Sequence, residues 1–275
     1  MSIVAISETL GSLADEVARE LGQMLGYEVA NREIITKAAE RFGESVVSLA
    51  HVTEEKPTFW ERFSDTQRQY LSAVEATIFE MAARENVILS GRSASILLAK
   101  VRHTLRVRIS APESVRAQRV EHAQGLTTEA ALDVVRQVDD ERAARVRFHY
   151  HVDVDDPLLY DVVINTERMS APTAARLLRE TLADERWQPT PDSLTKVRDL
   201  SVVAQIKAAL LANPVTRACR LYPTCEDGNL LIGGMVDQEE QRKAAADIIG
   251  GIPGLRGVQN EIVVVHPGRR MGSST

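Results

Sequence analysis

The feature that most constrains this chain is a series of short apolar segments separated by helical patterns. The first, IVAIS at residues 3–7, is followed by apolar residues at helical spacing from Ala14 to Leu25. Later segments read NVILS at 86–90, LRVRIS at 105–110 and DVVIN at 161–165. Strands that alternate with helices predict a three-layer α/β domain, in which helices cover both faces of a parallel sheet. Ligands of such sheets lie beyond the carboxyl ends of the strands.

The pattern changes at Trp187–Asp192, where two prolines in a polar stretch predict a semi-rigid linker. After it we expect, in order, a helix, strands at 217–222 and 229–236, a helix at 238–249 and a strand at 258–265. This order predicts a small α+β domain of αββαβ type. We therefore expect an α/β domain at 1–186, a linker at 187–193, a second domain at 194–267 and a flexible tail at 268–275.

Composition limits the function classes. The net charge of −6 argues against a nucleic-acid partner. No segment approaches the roughly 20 consecutive apolar residues of a membrane span, and the apolar start of the chain lacks a basic region before it. We therefore expect a cytoplasmic protein. Two cysteines, Cys219 and Cys225, form neither a disulfide framework nor a zinc set, and reduced thiols suit that compartment.

The segment from Ser7 to Val17 is the first candidate for chemistry, because a strand, a glycine turn and a helix can cradle a phosphate. It departs from the G-x-x-x-x-G-K-[ST] pattern. The alternative is plain helix capping, in which Ser12 acts as the N-cap of the helix. A metal site at His149 and His151 is not expected, because Pro157 marks this region as a loop or lid.

The same segment resembles the degenerate phosphate loop of the cytidylate-kinase-like family, which reads roughly Ser-Arg-x-x-Gly-Ser-Gly-Gly-Arg-Glu. The matching positions are Ser7, Gly11, Ser12 and Glu16. The departures are Glu8 and Asp15 in place of arginines, and Leu13 and Ala14 in place of glycines. Added Cβ atoms and reversed charges both oppose the approach of a nucleotide triphosphate.

The resemblance extends over about residues 1–184. It includes SGRSA at 90–94, LRVRISAP at 105–112, DDER at 139–142 and YDVVINT at 160–166. It implies ATP and Mg²⁺ as cofactors and a nucleoside monophosphate as acceptor. It also implies that Arg92 orients the acceptor, and that Arg116, Arg119 and Arg142 contact the transferring phosphoryl group. The alternatives are that Arg92 ties a loop to a carboxylate and that the helix arginines are solvated.

The C-terminal region resembles the BON family through DGNLLIGGMV at 227–236 and IPGLRGVQN at 252–260. Its ligand is open, and we expect a sensing or assembly role, with self-association of the chain left open. Two function classes follow. One is a degenerate nucleotide-binding protein with weak or absent kinase activity, and the other is an active kinase that phosphorylates CMP or a similar acceptor. A purely structural or envelope-binding role is a third alternative.

Overall fold

The computed structural model describes residues 2–42 and 65–265, so the expected tail at 268–275 lies outside the described residues. The strands are β1 (Ile3–Glu8), β2 (Glu28–Ala30), β3 (Val87–Ser90), β4 (Thr104–Ser110), β5 (Val162–Asn165), β6 (Arg220–Glu226), β7 (Asn229–Val236) and β8 (Gly257–Val264). The helices are α1 (Ala14–Leu25), α2 (Arg32–Phe42), α3 (Asp65–Ala83), α4 (Ala94–Leu97), α5 (Glu113–Gln124), α6 (Thr128–Tyr150), α7 (Ala171–Leu182), α8 (Pro191–Ala212) and α9 (Glu239–Gly250).

The first five strands form one parallel sheet in the order β2-β3-β1-β4-β5. Successive residues of β1 point to opposite faces, as the strand geometry requires. Ile3 and Ala5 pack in a core with α2, α3 and α4, whereas Val4 and Ile6 pack in a second core with α1 and α7. The expected sheet with helices on both faces is thus confirmed. The short strand β2 was missed, because three residues carry too little pattern.

The last three strands form a separate sheet in the order β6-β7-β8, with β6 antiparallel and β8 parallel to β7. Together with α8 and α9 they give the expected αββαβ order. The strand predicted at 217–222 begins later, at Arg220. The reason is that Thr216 and Arg217 donate to backbone carbonyls in the last turn of α8, so this segment completes the helix end instead of pairing in the sheet.

The hairpin between β6 and β7 is held by a carboxylate from α8. Asp199 is buried and accepts hydrogen bonds from the backbone N–H groups of Asp227 and Gly228, at 2.8 and 2.9 Å. Gly228 has φ +76°, which suits a tight turn. Gly234 has φ +137°, and a Cβ atom there would lie 2.3 Å from the carbonyl oxygen of Arg220. The backbone of β6 therefore approaches Gly234 too closely for any residue with a Cβ atom.

Helix α8 takes part in both cores. Val197, Ala204 and Ala208 pack with the helices of the large sheet, and Val202 and Ile206 pack under the small sheet. The helix begins at Pro191, inside the segment expected to be linker, where proline suits the first helical turn and Thr190 caps it. The sequence-based division did not anticipate that one helix would serve both sheets.

Candidate functional site

A cavity of about 590 Å³ opens at the carboxyl ends of β1, β3 and β4, which is the expected place for a ligand in this architecture. A volume of this size suits a small molecule. The cavity is bordered by the loop after β1, the turn after β3 and helices α5 and α6. All eight expected site residues line it, namely Ser7, Gly11, Ser12, Glu16, Arg92, Arg116, Arg119 and Arg142. The structure therefore brings together residues from four segments of the chain.

The turn before α1 explains the requirement for Gly11. Its φ is +78°, and a Cβ atom at this position would lie 2.8 Å from the carbonyl oxygen of Arg116 on α5. Close packing of the loop against α5 thus demands glycine here. Leu13 also has a positive φ, 63°, although it carries a side chain, so the loop contains one residue in an unfavourable backbone conformation.

Helix α1 has no side-chain cap, because its N-cap residue is Leu13. The alternative that Ser12 caps this helix is wrong. The Ser12 hydroxyl is buried, and within the part of the chain that the structure describes it has no hydrogen-bond partner. Ser12 and the first-turn residues of α1 line the cavity, and the unpaired N–H groups at the start of a helix favour an anion.

Arg116 and Arg119 brace the loop. Arg116 donates to the carbonyls of Ala111 and Leu10, at 2.8 and 3.2 Å, and pairs with Asp139 on α6 at 2.7 Å. Arg119 donates to the carbonyl of Gly11 at 3.0 Å and to that of Thr166 at 2.7 Å. The alternative that these arginines are solvated does not apply, since Arg116 is buried and both make backbone contacts.

Arg142 lies on α6 and reaches the end of β1. Its guanidinium donates to the backbone carbonyl of Glu8 at 3.3 Å and lies 3.8 Å from the Glu8 carboxylate. Burial raises the pKa of Glu8 above its ordinary value, and Asp15 adds to the increase, while Arg142, Arg92 and Arg108 oppose it. A largely buried carboxylate therefore shares the cavity with the arginines.

Arg92 belongs to a strained turn. Gly91, Arg92 and Ser93 have φ values of 78°, 55° and 62°, which is unusual for two consecutive non-glycine residues. Such conformations persist only where the surroundings enforce them, and they are common at functional sites. The charge of Arg92 lowers the pKa of Glu8. Arg92 therefore influences a carboxylate electrostatically, and it also lines the cavity.

Asp15 lines the cavity and forms a hydrogen bond with Asn31. Its carboxylate accepts a hydrogen bond of 2.8 Å from the side-chain amide of Asn31. This contact holds the charge beside the start of α2. Glu16, in the first turn of α1, also lines the cavity.

Sequence reasoning missed Arg108 and Asp155 as members of the site. Arg108 is buried on β4, beside Ser7 in the sheet register, and Asp155 pairs with it at 2.8 Å. The available signal was a second arginine on a buried strand, two residues after Arg106. Because the strand partner of β4 was unknown, that signal could not be connected to the phosphate loop.

Within residues 2–42 and 65–265, no three His, Cys, Asp or Glu side chains are grouped so as to hold a metal ion. No helix in these ranges is long and apolar enough to cross a membrane.

The fold and the cavity define a P-loop kinase-like α/β domain. The sequence model of the cytidylate kinase-like family matches residues 3–168, and that of the BON domain matches residues 198–266. The chain belongs to the cytidylate kinase-like family and carries a C-terminal BON domain.

Similar proteins include two named cytidylate kinase. The protein from Natronomonas pharaonis is 28% identical over 191 residues, covering 69% of this chain and 93% of its own length. The protein from Methanothrix thermoacetophila is 28% identical over 167 residues, covering 60% of this chain and 89% of its own length. An uncharacterised protein from Eubacterium ventriosum has a similar structure, with a TM-score of 0.54 and 16% identity, covering 67% of this chain and 100% of its own. This last likeness concerns the fold alone.

Proposed function

We propose that the cavity binds a nucleoside phosphate and that phosphoryl transfer at this site is weak or absent. Nucleotide binding is supported by the uncapped start of α1, the buried Ser12 hydroxyl and the arginines of the lining. The family relation and the names of the archaeal relatives point to the same class of ligand.

The observation that carries the weak-transfer proposal is the position of Glu8. Its side chain is only 15% exposed, and its carboxylate lies beside Arg142, one of the arginines expected to contact the transferring group. Catalysis of phosphoryl transfer depends on positioning and on neutralising charge. A carboxylate that already occupies Arg142 repels the incoming phosphate and reduces the positive charge that Arg142 offers to it.

ATP and Mg²⁺ are the cofactors that the family implies, and the residues present fit them in part. The loop at 11–14 would hold ATP phosphates through backbone N–H groups, while the Leu13 side chain and Glu8 oppose close approach. When bound, ATP supplies the phosphoryl group, and Mg²⁺ neutralises phosphate charge. The chain's own residues would orient the acceptor, with Arg92 in the turn after β3 as the candidate.

The second candidate is an active kinase for CMP or a similar acceptor. It is favoured by the convergence of Arg92, Arg116, Arg119 and Arg142 on one cavity. Arg116 and Arg119, which brace the loop, would serve such a reaction by holding the loop in one conformation.

Two measurements separate the candidates. Calorimetric titration with ATP, CMP and other nucleotides, with and without Mg²⁺, tests binding. A coupled ADP-release assay with a panel of nucleoside monophosphates tests transfer. Binding without turnover is expected. Robust turnover by the unmodified protein, lost in Arg92→Ala, would instead establish the kinase, and absence of any nucleotide binding would refute both candidates.

For the BON domain we propose a role in ligand sensing or assembly inside the cytoplasm. The supporting observation is that α8 packs in both cores, so a change at the small sheet can reach the helices that flank the cavity. Arg41 on α2 donates to Gln205 on α8 at 2.7 Å, which adds a polar contact between the two parts. The ligand and any self-association would be tested by sedimentation and by titration of the full chain.

A further inference from the structure

Arg108 places a nearly buried positive charge beside the phosphate loop. Its side chain is 10% exposed and lines the cavity. It donates from Nη1 to the Ser7 hydroxyl at 2.9 Å and to the backbone carbonyl of Glu8 at 3.4 Å. These contacts direct the guanidinium to the point where β1 ends and the loop begins.

The acidic partner of Arg108 is weakly held. Asp155 accepts a hydrogen bond of 2.8 Å from Nη2 of Arg108, but the Asp155 side chain is 75% exposed. The Asp155 carboxylate is almost as well solvated when it is released, and a phosphate that replaces it keeps the buried Arg108 charge paired. Asp155 can therefore leave Arg108 at small cost when a better anion is available.

A tether keeps Asp155 close to the cavity. The hydroxyl of Tyr160, just before β5, donates to the backbone carbonyl of Val154 at 2.7 Å and lies within hydrogen-bonding distance, 3.2 Å, of the Ser7 hydroxyl. Its ring also lies 5.9 Å from the Arg108 guanidinium. The loop that carries Asp155 is thus fixed next to the end of β1, while the Asp155 carboxylate itself remains exposed.

Arg108 differs in this respect from the arginines that brace the loop. Arg116 and Arg119 donate to backbone carbonyls, which cannot move away without a change of the loop path. The Nη2 atom of Arg108 faces a single exposed carboxylate. A phosphate offers the same guanidinium more negative charge and more acceptor atoms.

We propose that Arg108 is an anion-binding residue of the cavity, and that the Asp155 carboxylate occupies it until a phosphate group of the bound nucleotide takes its place. The inference rests on the proposed nucleotide binding and adds a competition between ligand and protein for one guanidinium. The loss of a charge-assisted contact predicts about 10- to 100-fold weaker binding in Arg108→Gln. Removal of an exposed competitor predicts about 2- to 5-fold tighter binding in Asp155→Asn.

The test is calorimetric titration of the full chain with CMP, ATP and inorganic tripolyphosphate. The matched control is Arg106→Gln, since Arg106 lies two residues away on β4 and pairs with Asp161 at 2.7 Å, but does not line the cavity. Its affinity should equal that of the unmodified protein. In the Arg108→Gln/Asp155→Asn double variant, the substitution at Asp155 should have no further effect, because the two residues act on one contact.

The outcomes are distinct. If the unmodified protein binds a probe and Arg108→Gln binds it equally well, the inference is wrong and the proposed function stands. If Asp155→Asn binds no tighter than the unmodified protein, the competition is wrong. If neither the unmodified protein nor Asp155→Asn binds any probe, the proposed function itself fails. Should Arg108→Gln fold poorly in thermal unfolding, the comparison of Asp155→Asn with the unmodified protein still decides.

Discussion

Replacing Glu8 by glutamine removes one negative charge from the cavity and keeps the side-chain shape. The carboxylate lies 3.8 Å from the guanidinium of Arg142, so a phosphate on the other side of that guanidinium would be about 6 Å from Glu8. At an effective dielectric constant of about 20, the repulsion is about 3 kcal/mol per phosphate charge. We therefore expect Glu8→Gln to bind nucleotides more tightly.

Protonation of Glu8 limits the size of the effect. Burial already raises its pKa, and an approaching phosphate raises it further, so the cost at pH 7 stays below about 4 kcal/mol, the free energy of protonating a glutamate of ordinary pKa at that pH. Because protonation limits the repulsion in this way, we expect a gain of about 10- to 100-fold in affinity. Nucleotide binding to the unmodified protein should take up a proton and should tighten as the pH falls from 8 to 6.

The assay is calorimetric titration of both proteins at several pH values, in buffers that differ in ionisation enthalpy. Titration of the ligand phosphates affects both proteins alike, whereas proton uptake at Glu8 is absent from the variant. Glu28→Gln is the control, because Glu28 is an exposed carboxylate that pairs with Lys37 away from the cavity. Equal affinities of Glu8→Gln and the unmodified protein at pH 7 would refute the reasoning.

Stability provides an independent check on the same carboxylate. Since the pKa of Glu8 is raised in the folded protein, its contribution to the free energy of unfolding is present below its unfolded pKa and is lost as the pH rises through the folded pKa. Glu8→Gln should therefore be more stable than the unmodified protein at pH 7 and should differ less at pH 4. A variant that is less stable at pH 7 would mean that pairing with Arg142 outweighs burial.

Three further predictions concern the loop, the hairpin and the shared helix. In chemical denaturation, Gly11→Ala should lower the free energy of unfolding by about 2–4 kcal/mol, since it combines a positive φ with a clash. The control Gly26→Ala, at φ +69° with open space around it, should lower it by only about 1–2 kcal/mol. Burial and Asp199 raise the pKa of Cys225 to about 11, so alkylation of this thiol at pH 8 should be slow and should become faster in Asp199→Asn. A fragment of residues 1–186 should show a lower Tm than the full chain and should bind a hydrophobic dye, because it lacks the helix that completes its core; an unchanged Tm would contradict this.

Several elements were predictable because their patterns are local. Strand β7 was predicted with the bounds that the structure shows, Asn229–Val236, and the helical spacing from Ala14 to Leu25 coincides with α1. Apolar periodicity along a continuous stretch is sufficient for such elements. The end of α8 was harder to predict, since the residues after it bond back to the helix, and that choice depends on how the helix packs.

The sequence alone determined the alternation of strands and helices in the first domain, the αββαβ order of the second, and eight of the residues that converge on the cavity. Each of these follows from local periodicity or from a family pattern carried by neighbouring residues. Only the tertiary structure decided what those residues contact. Arg116 turned out to hold backbone carbonyls, Arg108 proved to face the loop from the adjacent strand, and α8 serves two cores. The physical reason is that side-chain partners, burial and charge compensation arise between segments far apart in the chain, and no local pattern records them.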